Sequence, residues 1–168
     1  DVKSIYVNSN DALAKTDALI IPGGESTVIS KFINNTNMAK EIFEYGLTKC
    51  IYGTCAGTII MSKFCNDEKV LNLGLLNITS HRNAWGSQVE SFEENIKFKF
   101  KKKMTKVIFI RAPKIKVNSN SINVLARYKN EPVLVRNDRH LASTFHPEVS
   151  GDLSVHKYFL NMVKQNAS

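Results

Sequence analysis

The sequence predicts an α/β fold, and three observations carry that reading. Apolar runs at Ala18-Leu19-Ile20-Ile21 and Lys49-Cys50-Ile51-Tyr52 each lead through a glycine-containing turn into a segment of helical character. Short alternating segments separated by brief connections follow in the second half of the chain. The last segment then places Val155, Tyr158, Phe159, Met162 and Val163 at helical spacing, a one-sided apolar stripe that reads as core.

The elements follow in order. Val2 to Val7 reads as a strand, and Ser9-Asn10-Asp11 is suited to cap a short helix running through Lys15. The strand Ala18 to Ile21 enters the turn Pro22-Gly23-Gly24, and the helix after it carries Val28, Ile29, Phe32 and Ile33. The strand ending at Tyr52 enters Gly53-Thr54-Cys55-Ala56-Gly57, and a helix is expected from Ala56 to Phe64. Ser91 to Glu94, a basic loop and the strand Val107 to Ile110 come next. Ile122 to Tyr128 alternates with Ile122, Val124 and Ala126 on one face; Glu131-Pro132 reads as a turn. Val133 to Val135 and Leu141 to Phe145 complete an antiparallel meander that delivers His146 at a strand end. His156 is read as a polar neighbour of the final apolar stripe.

Cys55 is the first candidate for chemistry. A thiol on a tight strand-to-helix turn, flanked by glycines that tolerate unusual backbone angles, has the geometry of a nucleophile elbow. A free thiol titrates near ~8.5, and the partial positive charge of a helix N-terminus favours the thiolate. His146, in Phe145-His146-Pro147-Glu148, supplies a base, and Glu148 a carboxylate able to hold the other ring nitrogen. The Ala56 N–H points where an oxyanion would form, and the Gly23-Gly24 peptides offer further donors. A lone cysteine is more often a small buried hydrophobe, which is the reading taken for Cys50 and Cys65. The Pro-Gly-Gly turn alone is an ordinary strand-to-helix turn; it is too short for a phosphate loop, and no Gly-Lys-Ser/Thr follows.

Pro22-Gly23-Gly24-Glu25-Ser26-Thr27, the Cys55 turn, Leu73-Gly74-Leu75-Leu76-Asn77-Ile78, Arg82-Asn83-Ala84-Trp85-Gly86-Ser87-Gln88, Phe109-Ile110-Arg111-Ala112-Pro113 and Thr144-Phe145-His146-Pro147-Glu148 occur in that order. Together they resemble the triad-type glutamine amidotransferases, and more closely the glutaminase subunits of pyridoxal 5′-phosphate synthase. The resemblance spans residues 18 to 148. The middle signature and the Phe-Ile-Arg-Ala-Pro segment narrow it, because the other motifs are shared by many amidotransferases. It implies a three-layer fold with a mostly parallel central sheet, flanking helices and a few antiparallel strands near the C-terminal half.

The resemblance also implies site residues. Cys55, His146 and Glu148 would form the triad, with Ala56, Gly23 and Gly24 at the oxyanion. Gly24, Glu25, Ser26, Arg82, Ile110 and Arg111 would bind L-glutamine. Elementary chemistry agrees: an arginine fork matches an α-carboxylate and a glutamate matches an α-ammonium. No metal or organic cofactor is implied. The implied partner is a (β/α)₈-barrel synthase subunit that takes the ammonia and builds pyridoxal 5′-phosphate. Two other readings stay open: a glutaminase serving another synthase, such as that of imidazole glycerol phosphate, or a non-catalytic relative that only binds its synthase. Ser87 stands where the family commonly has a basic residue. The family pattern also opens with a strand and helix ahead of the position of Asp1, so the chain is expected to form a single glutaminase domain, 1–168, without that first strand and helix.

Composition bounds the rest. A chain of 168 residues with 43% hydrophobic content suits one globular core. No apolar run approaches the ~20 residues needed to span a bilayer, so no membrane role is expected. Three cysteines without paired spacing favour a reducing, cytoplasmic setting and argue against a zinc cage. The net charge of +8 invites a nucleic-acid reading, but lysine outnumbers arginine 18 to 5 and asparagine reaches 17. AT-rich coding is sufficient to explain those residues, and no nucleic-acid partner is expected. The densest run, Lys97-Phe98-Lys99-Phe100-Lys101-Lys102-Lys103, reads as an edge strand passing into a solvated basic turn.

Overall fold

Pairing of the apolar runs builds the sheet that carries the site. The computed structural model describes residues 2–82, 84 and 91–167. Ser9 caps helix α1 (Asn10–Ala14), its hydroxyl accepting from the Ala12 N–H at 3.3 Å. Strand β1 (Ala18–Ile21) leads into α2 (Ser26–Asn35). Helix α3 (Met38–Thr48) has no counterpart among the predicted elements. Its buried positions Met38, Ile42 and Gly46 recur at every fourth residue, a narrow stripe that leaves Phe43 and Leu47 exposed. Strand β2 (Cys50–Thr54) follows and runs through Cys55 into α4 (Ala56–Met61).

The expected continuation of α4 to Phe64 does not occur. Ser62–Cys65 is strand β3, which pairs in parallel with β4 (Leu76–His81). The last carbonyls of the helix are taken from outside: Leu73 N–H donates to Ile60 O at 2.7 Å and the Asn72 side-chain amide to Ile59 O at 2.8 Å. β5 (Ser91–Ile96) and β6 (Thr105–Ile110) form an antiparallel pair, and β7 (Lys114–Val117) lies antiparallel to β4. β8 (Asn123–Tyr128), β9 (Glu131–Arg136) and β10 (Leu141–Ser143) form the expected meander. Helices α5 (Pro147–Ser150) and α6 (Ser154–Asn166) end the chain.

Several local expectations are corrected. Val2–Val7 is not a strand; its apolar side chains at Val2, Ile5 and Tyr6 are exposed, and no described strand pairs with it. Apolar and β-branched residues alone do not make a strand without a ladder partner. The β8–β9 turn falls at Lys129-Asn130, both with positive φ (46° and 65°), whereas Glu131 and Pro132 already belong to the ladder. Register shifts around Ala126 break the simple alternation of β8: Leu125 and Ala126 are both buried, and Ala126 packs with the opposite face from Ile122. The Lys97–Lys103 run forms no ladder. Phe98 is buried and Phe100 half-buried, with Phe100 stacked on Tyr158 of α6 at 4.2 Å, while Lys97, Lys99, Lys102 and Lys103 face water.

The central sheet has the order β1-β2-β10-β9-β8, with β1, β2 and β10 parallel, β9 antiparallel to β10 and β8 antiparallel to β9. Its two faces are separate cores. Leu19, Ile21, Ile51 and Ala142 pack beneath the first four helices and the β3-β4-β7 sheet. Cys50, Tyr52, Leu134 and Leu141 pack beneath α6 and the β5–β6 pair. Tyr52 meets Phe159 at 5.5 Å, and the His156 ring stands edge-on to it at 6.2 Å. This is the three-layer α/β arrangement, and the C-terminal ends of β1, β2 and β10 meet at one edge. Among the described residues, no helix is long and apolar enough to cross a membrane.

Candidate active site

Cys55 sits where β2 turns into α4, with φ 47° and ψ −102°, a conformation that strains a residue bearing a side chain. The surroundings hold it there. The Cys55 N–H donates to Ser143 O of β10 at 2.8 Å. The Thr58 hydroxyl lies 2.7 Å from that same oxygen and 3.1 Å from Gly53 O, bracing the turn from inside. A Cβ at Gly57 would overlap the Ile21 carbonyl, so only glycine lets α4 approach β1 this closely. The thiol is buried and donates to Ile110 O of β6 at 3.6 Å.

His146 follows β10 and is anchored by its backbone, the N–H donating to Ile108 O of β6 at 2.8 Å. One edge of β6 therefore aligns both groups, receiving the thiol at Ile110 and the imidazole's main chain at Ile108. His146 Nδ1 lies 2.7 Å from Glu148 Oε1 on α5. The Cys55 side chain, then the hydrogen bond to Glu148, raise the His146 pKa from 6.5 to about 9 against the opposing effect of burial. Burial pushes the Glu148 carboxyl up, but the bond from His146 and nearby positive charge outweigh it and hold the group below its ordinary value. At neutral pH the pair is an imidazolium and a carboxylate. Cys55, His146 and Glu148 thus lie together at the ends of β2 and β10.

Gly23 lies against the His146 ring. A Cβ at Gly23 would overlap His146 Cε1, and Gly24 has φ +135°, open to glycine and strained for other residues. Ala56 opens α4, where N–H groups have no intrahelical acceptor and can donate to a ligand. A nucleophile, a base with its carboxylate partner and backbone donors therefore converge, which is the equipment for acyl transfer.

The predicted glutamine residues gather beside the triad as a charge cluster. Arg82 Nη2 pairs with Glu25 Oε1 at 2.6 Å, and Arg111 Nη2 reaches Glu25 Oε2 at 3.7 Å. Arg111, the residue after β6, has φ 45°, in the left-handed region. Ser26 Oγ is buried without a hydrogen-bond partner among the described residues, a polar atom available to a ligand. Two residues carry no signal in the sequence: Asp67, whose carboxylate pairs with Arg82 Nη1, and Asn66, whose Oδ1 accepts from the Arg82 N–H at 2.9 Å. Nor does any local pattern single out Thr58, Ser143 or the Ile108 carbonyl. Asn83 and Trp85 to Gln88 of the middle signature, including Ser87, lie outside the described residues. A cavity of about 720 Å³ is lined in part by His81, Arg82, Lys114 and Arg127; of the predicted residues only Arg82 borders it. Among the described residues, no group of three His, Cys, Asp or Glu is placed to hold a metal ion.

Comparison with known proteins agrees with this geometry. The family described as the SNO glutamine amidotransferase family matches residues 1–165. The chain is 43% identical over 167 residues to the pyridoxal 5′-phosphate synthase subunit PdxT of Thermotoga neapolitana, covering 97% of this chain and 88% of that protein. It is 47% identical over 163 residues to the PdxT subunit of Pseudothermotoga lettingae, covering 96% and 84%. A solved structure described as a glutamine amidotransferase superposes with a TM-score of 0.91 at 37% identity, covering 97% of this chain and 87% of that one. A glutamine amidotransferase structure from Thermotoga maritima, at 11% identity and a TM-score of 0.53 over 93% of this chain and 68% of that one, shares the fold.

Proposed function

The chain belongs to the SNO glutamine amidotransferase family, and on that premise we propose that it hydrolyses L-glutamine to L-glutamate and ammonia, with Cys55, His146 and Glu148 as its catalytic residues. The observation that carries the assignment is the single edge of β6 that seats the thiol at Ile110 O and the imidazole's backbone at Ile108 O, with Glu148 bonded to the far ring nitrogen.

The Cys55 thiolate attacks the side-chain amide carbon of glutamine. The resulting oxyanion is received by the Ala56 N–H and a donor of the Gly23-Gly24 turn; losing one such donor typically costs ~10²–10³ in rate. His146, protonated at neutral pH, gives its proton to the leaving nitrogen as the C–N bond breaks, leaving a thioester and ammonia. The neutral imidazole then takes a proton from water, whose oxygen attacks the thioester to release glutamate and the thiolate. Arg82 and Arg111 match the substrate carboxylate, Glu25 its ammonium, and Ser26 and the Ile110 main chain complete the pocket.

Ammonia at neutral pH is mostly ammonium, which is not nucleophilic, so release into solvent would waste the product. The PdxT name of the relatives supports delivery to a pyridoxal 5′-phosphate synthase subunit, and the sequence resemblance is the support for a (β/α)₈ barrel as that partner. A cytoplasmic setting suits the free cysteines. The test is glutaminase turnover with and without the co-expressed synthase, alongside Cys55→Ala. Turnover that rises on adding the synthase and vanishes in C55A is expected; glutamine hydrolysis surviving in C55A would overturn the assignment.

A further inference from the structure

We propose that Asp67 is a positioning residue for glutamine recognition: it retains Arg82 through Nη1, so that substrate exchanges with Glu25 at Nη2 alone. This rests on the reading of Arg82 as the fork for the substrate α-carboxylate. The turn after β3 grips Arg82 at two points, Asn66 Oδ1 on its backbone N–H at 2.9 Å and the Asp67 carboxylate on its guanidinium. That turn is itself fixed. Asn66 N–H donates to Ser80 O at 3.2 Å, Lys69 N–H to Asp67 Oδ1 at 3.0 Å and Val70 N–H to Asp67 O at 3.1 Å. Asp67 thus offers one oxygen to its own turn and the other to Arg82.

Glu25 is held far less firmly. Apart from Arg82, the contacts of its carboxylate among the described residues are the Thr27 hydroxyl at 3.4 Å and Arg111 at 3.7 Å, both long. Of the two carboxylates on Arg82, Glu25 is the one a ligand displaces. An amino-acid zwitterion supplies what that exchange needs. Its carboxylate replaces Glu25 on Nη2, and its ammonium takes up the released Glu25. The two arginines and two carboxylates already balance, and a neutral zwitterion leaves them balanced. Asp67 keeps the guanidinium plane fixed throughout, so that less side-chain freedom is lost on binding.

Steady-state glutaminase kinetics on D67N, D67E and the wild-type chain, each with its synthase, test this. The companion measurement is the rate of Cys55 labelling by 6-diazo-5-oxonorleucine, which carries the amino-acid head group, against iodoacetamide, which does not. D67N is expected to raise the glutamine KM roughly 5- to 20-fold with kcat within about twofold, as for loss of one charge-assisted hydrogen bond. It should slow diazo-oxonorleucine labelling in proportion and leave iodoacetamide labelling unchanged; D67E should recover most of the KM. An unchanged KM overturns the proposal. So does a lowered KM, which would make Asp67 a competitor of substrate, or a parallel fall in kcat and iodoacetamide rate, which would mark a general structural role. A wild-type thiol that reacts with iodoacetamide but ignores the glutamine analogue would sink the underlying glutaminase reading instead, and the proposal with it.

Discussion

His146 lies between a thiol and a carboxylate, and both partners favour its protonated form. A group whose folded pKa is raised, here from 6.5 to about 9, contributes stability fully below 6.5 and loses it as pH climbs through 9. Glu148 is lowered, so its contribution is present above its ordinary value of 4.5 and lost as pH falls through the depressed one. Glu148→Gln removes the second cause of the His146 shift. It should move the midpoint of the ring titration, followed by NMR, down from about 9 toward 6.5, and lower kcat by ~10²-fold or more. A midpoint unmoved in E148Q would show that the carboxylate does not govern the ring. The grouping of Cys55, His146 and Glu148 was legible in the sequence because the three sit in two short motifs, the Cys55 turn and Phe145-His146-Pro147-Glu148. The Asp67–Arg82 pair was not legible: fifteen residues separate them, and only the β3–β4 ladder brings them together.

At the scale of elements, the nucleophile turn depends on β10 as much as on its own glycines. Ser143 O receives both the Cys55 N–H and the Thr58 hydroxyl, and Thr58 is fully buried. Thr58→Val preserves shape and deletes that brace. It should cost ~1–3 kcal/mol in urea unfolding and slow Cys55 alkylation by loosening the turn. A variant as stable and as reactive as wild type would show that the backbone bond alone suffices. Strand and helix identities were largely readable where a run is strongly apolar or periodic. They failed where a partner decides the outcome: α4 ends at Met61, where Leu73 and Asn72 donate to the Ile60 and Ile59 carbonyls, and Val2–Val7 is rich in apolar residues yet enters no ladder among the described residues. The Pro in Glu131-Pro132 drew the predicted turn two residues too late, whereas two positive φ angles at Lys129 and Asn130 make the bend.

For the molecule as a whole, the site edge is supported from the face beneath α6 and the β5–β6 pair. Phe109 is fully buried, stacked on Phe92 at 4.6 Å and edge-on to Phe145 at 5.9 Å, one residue from the oxygen that receives the thiol. Phe109→Ala should destabilise by ~3–5 kcal/mol and lower the melting temperature by roughly 10 °C in calorimetry. A shift under ~2 °C would mean that this face carries little of the fold's stability. The sequence by itself determined the α/β class, the elbow bearing Cys55 and the His146–Glu148 pair, because these depend on local periodicity, glycine placement and short spacing. Only the tertiary structure decided which carbonyls seat the thiol and imidazole, how Glu25 is shared between arginines and that Asp67 holds Arg82. Those contacts join residues distant along the chain, and no local pattern encodes which strands lie side by side.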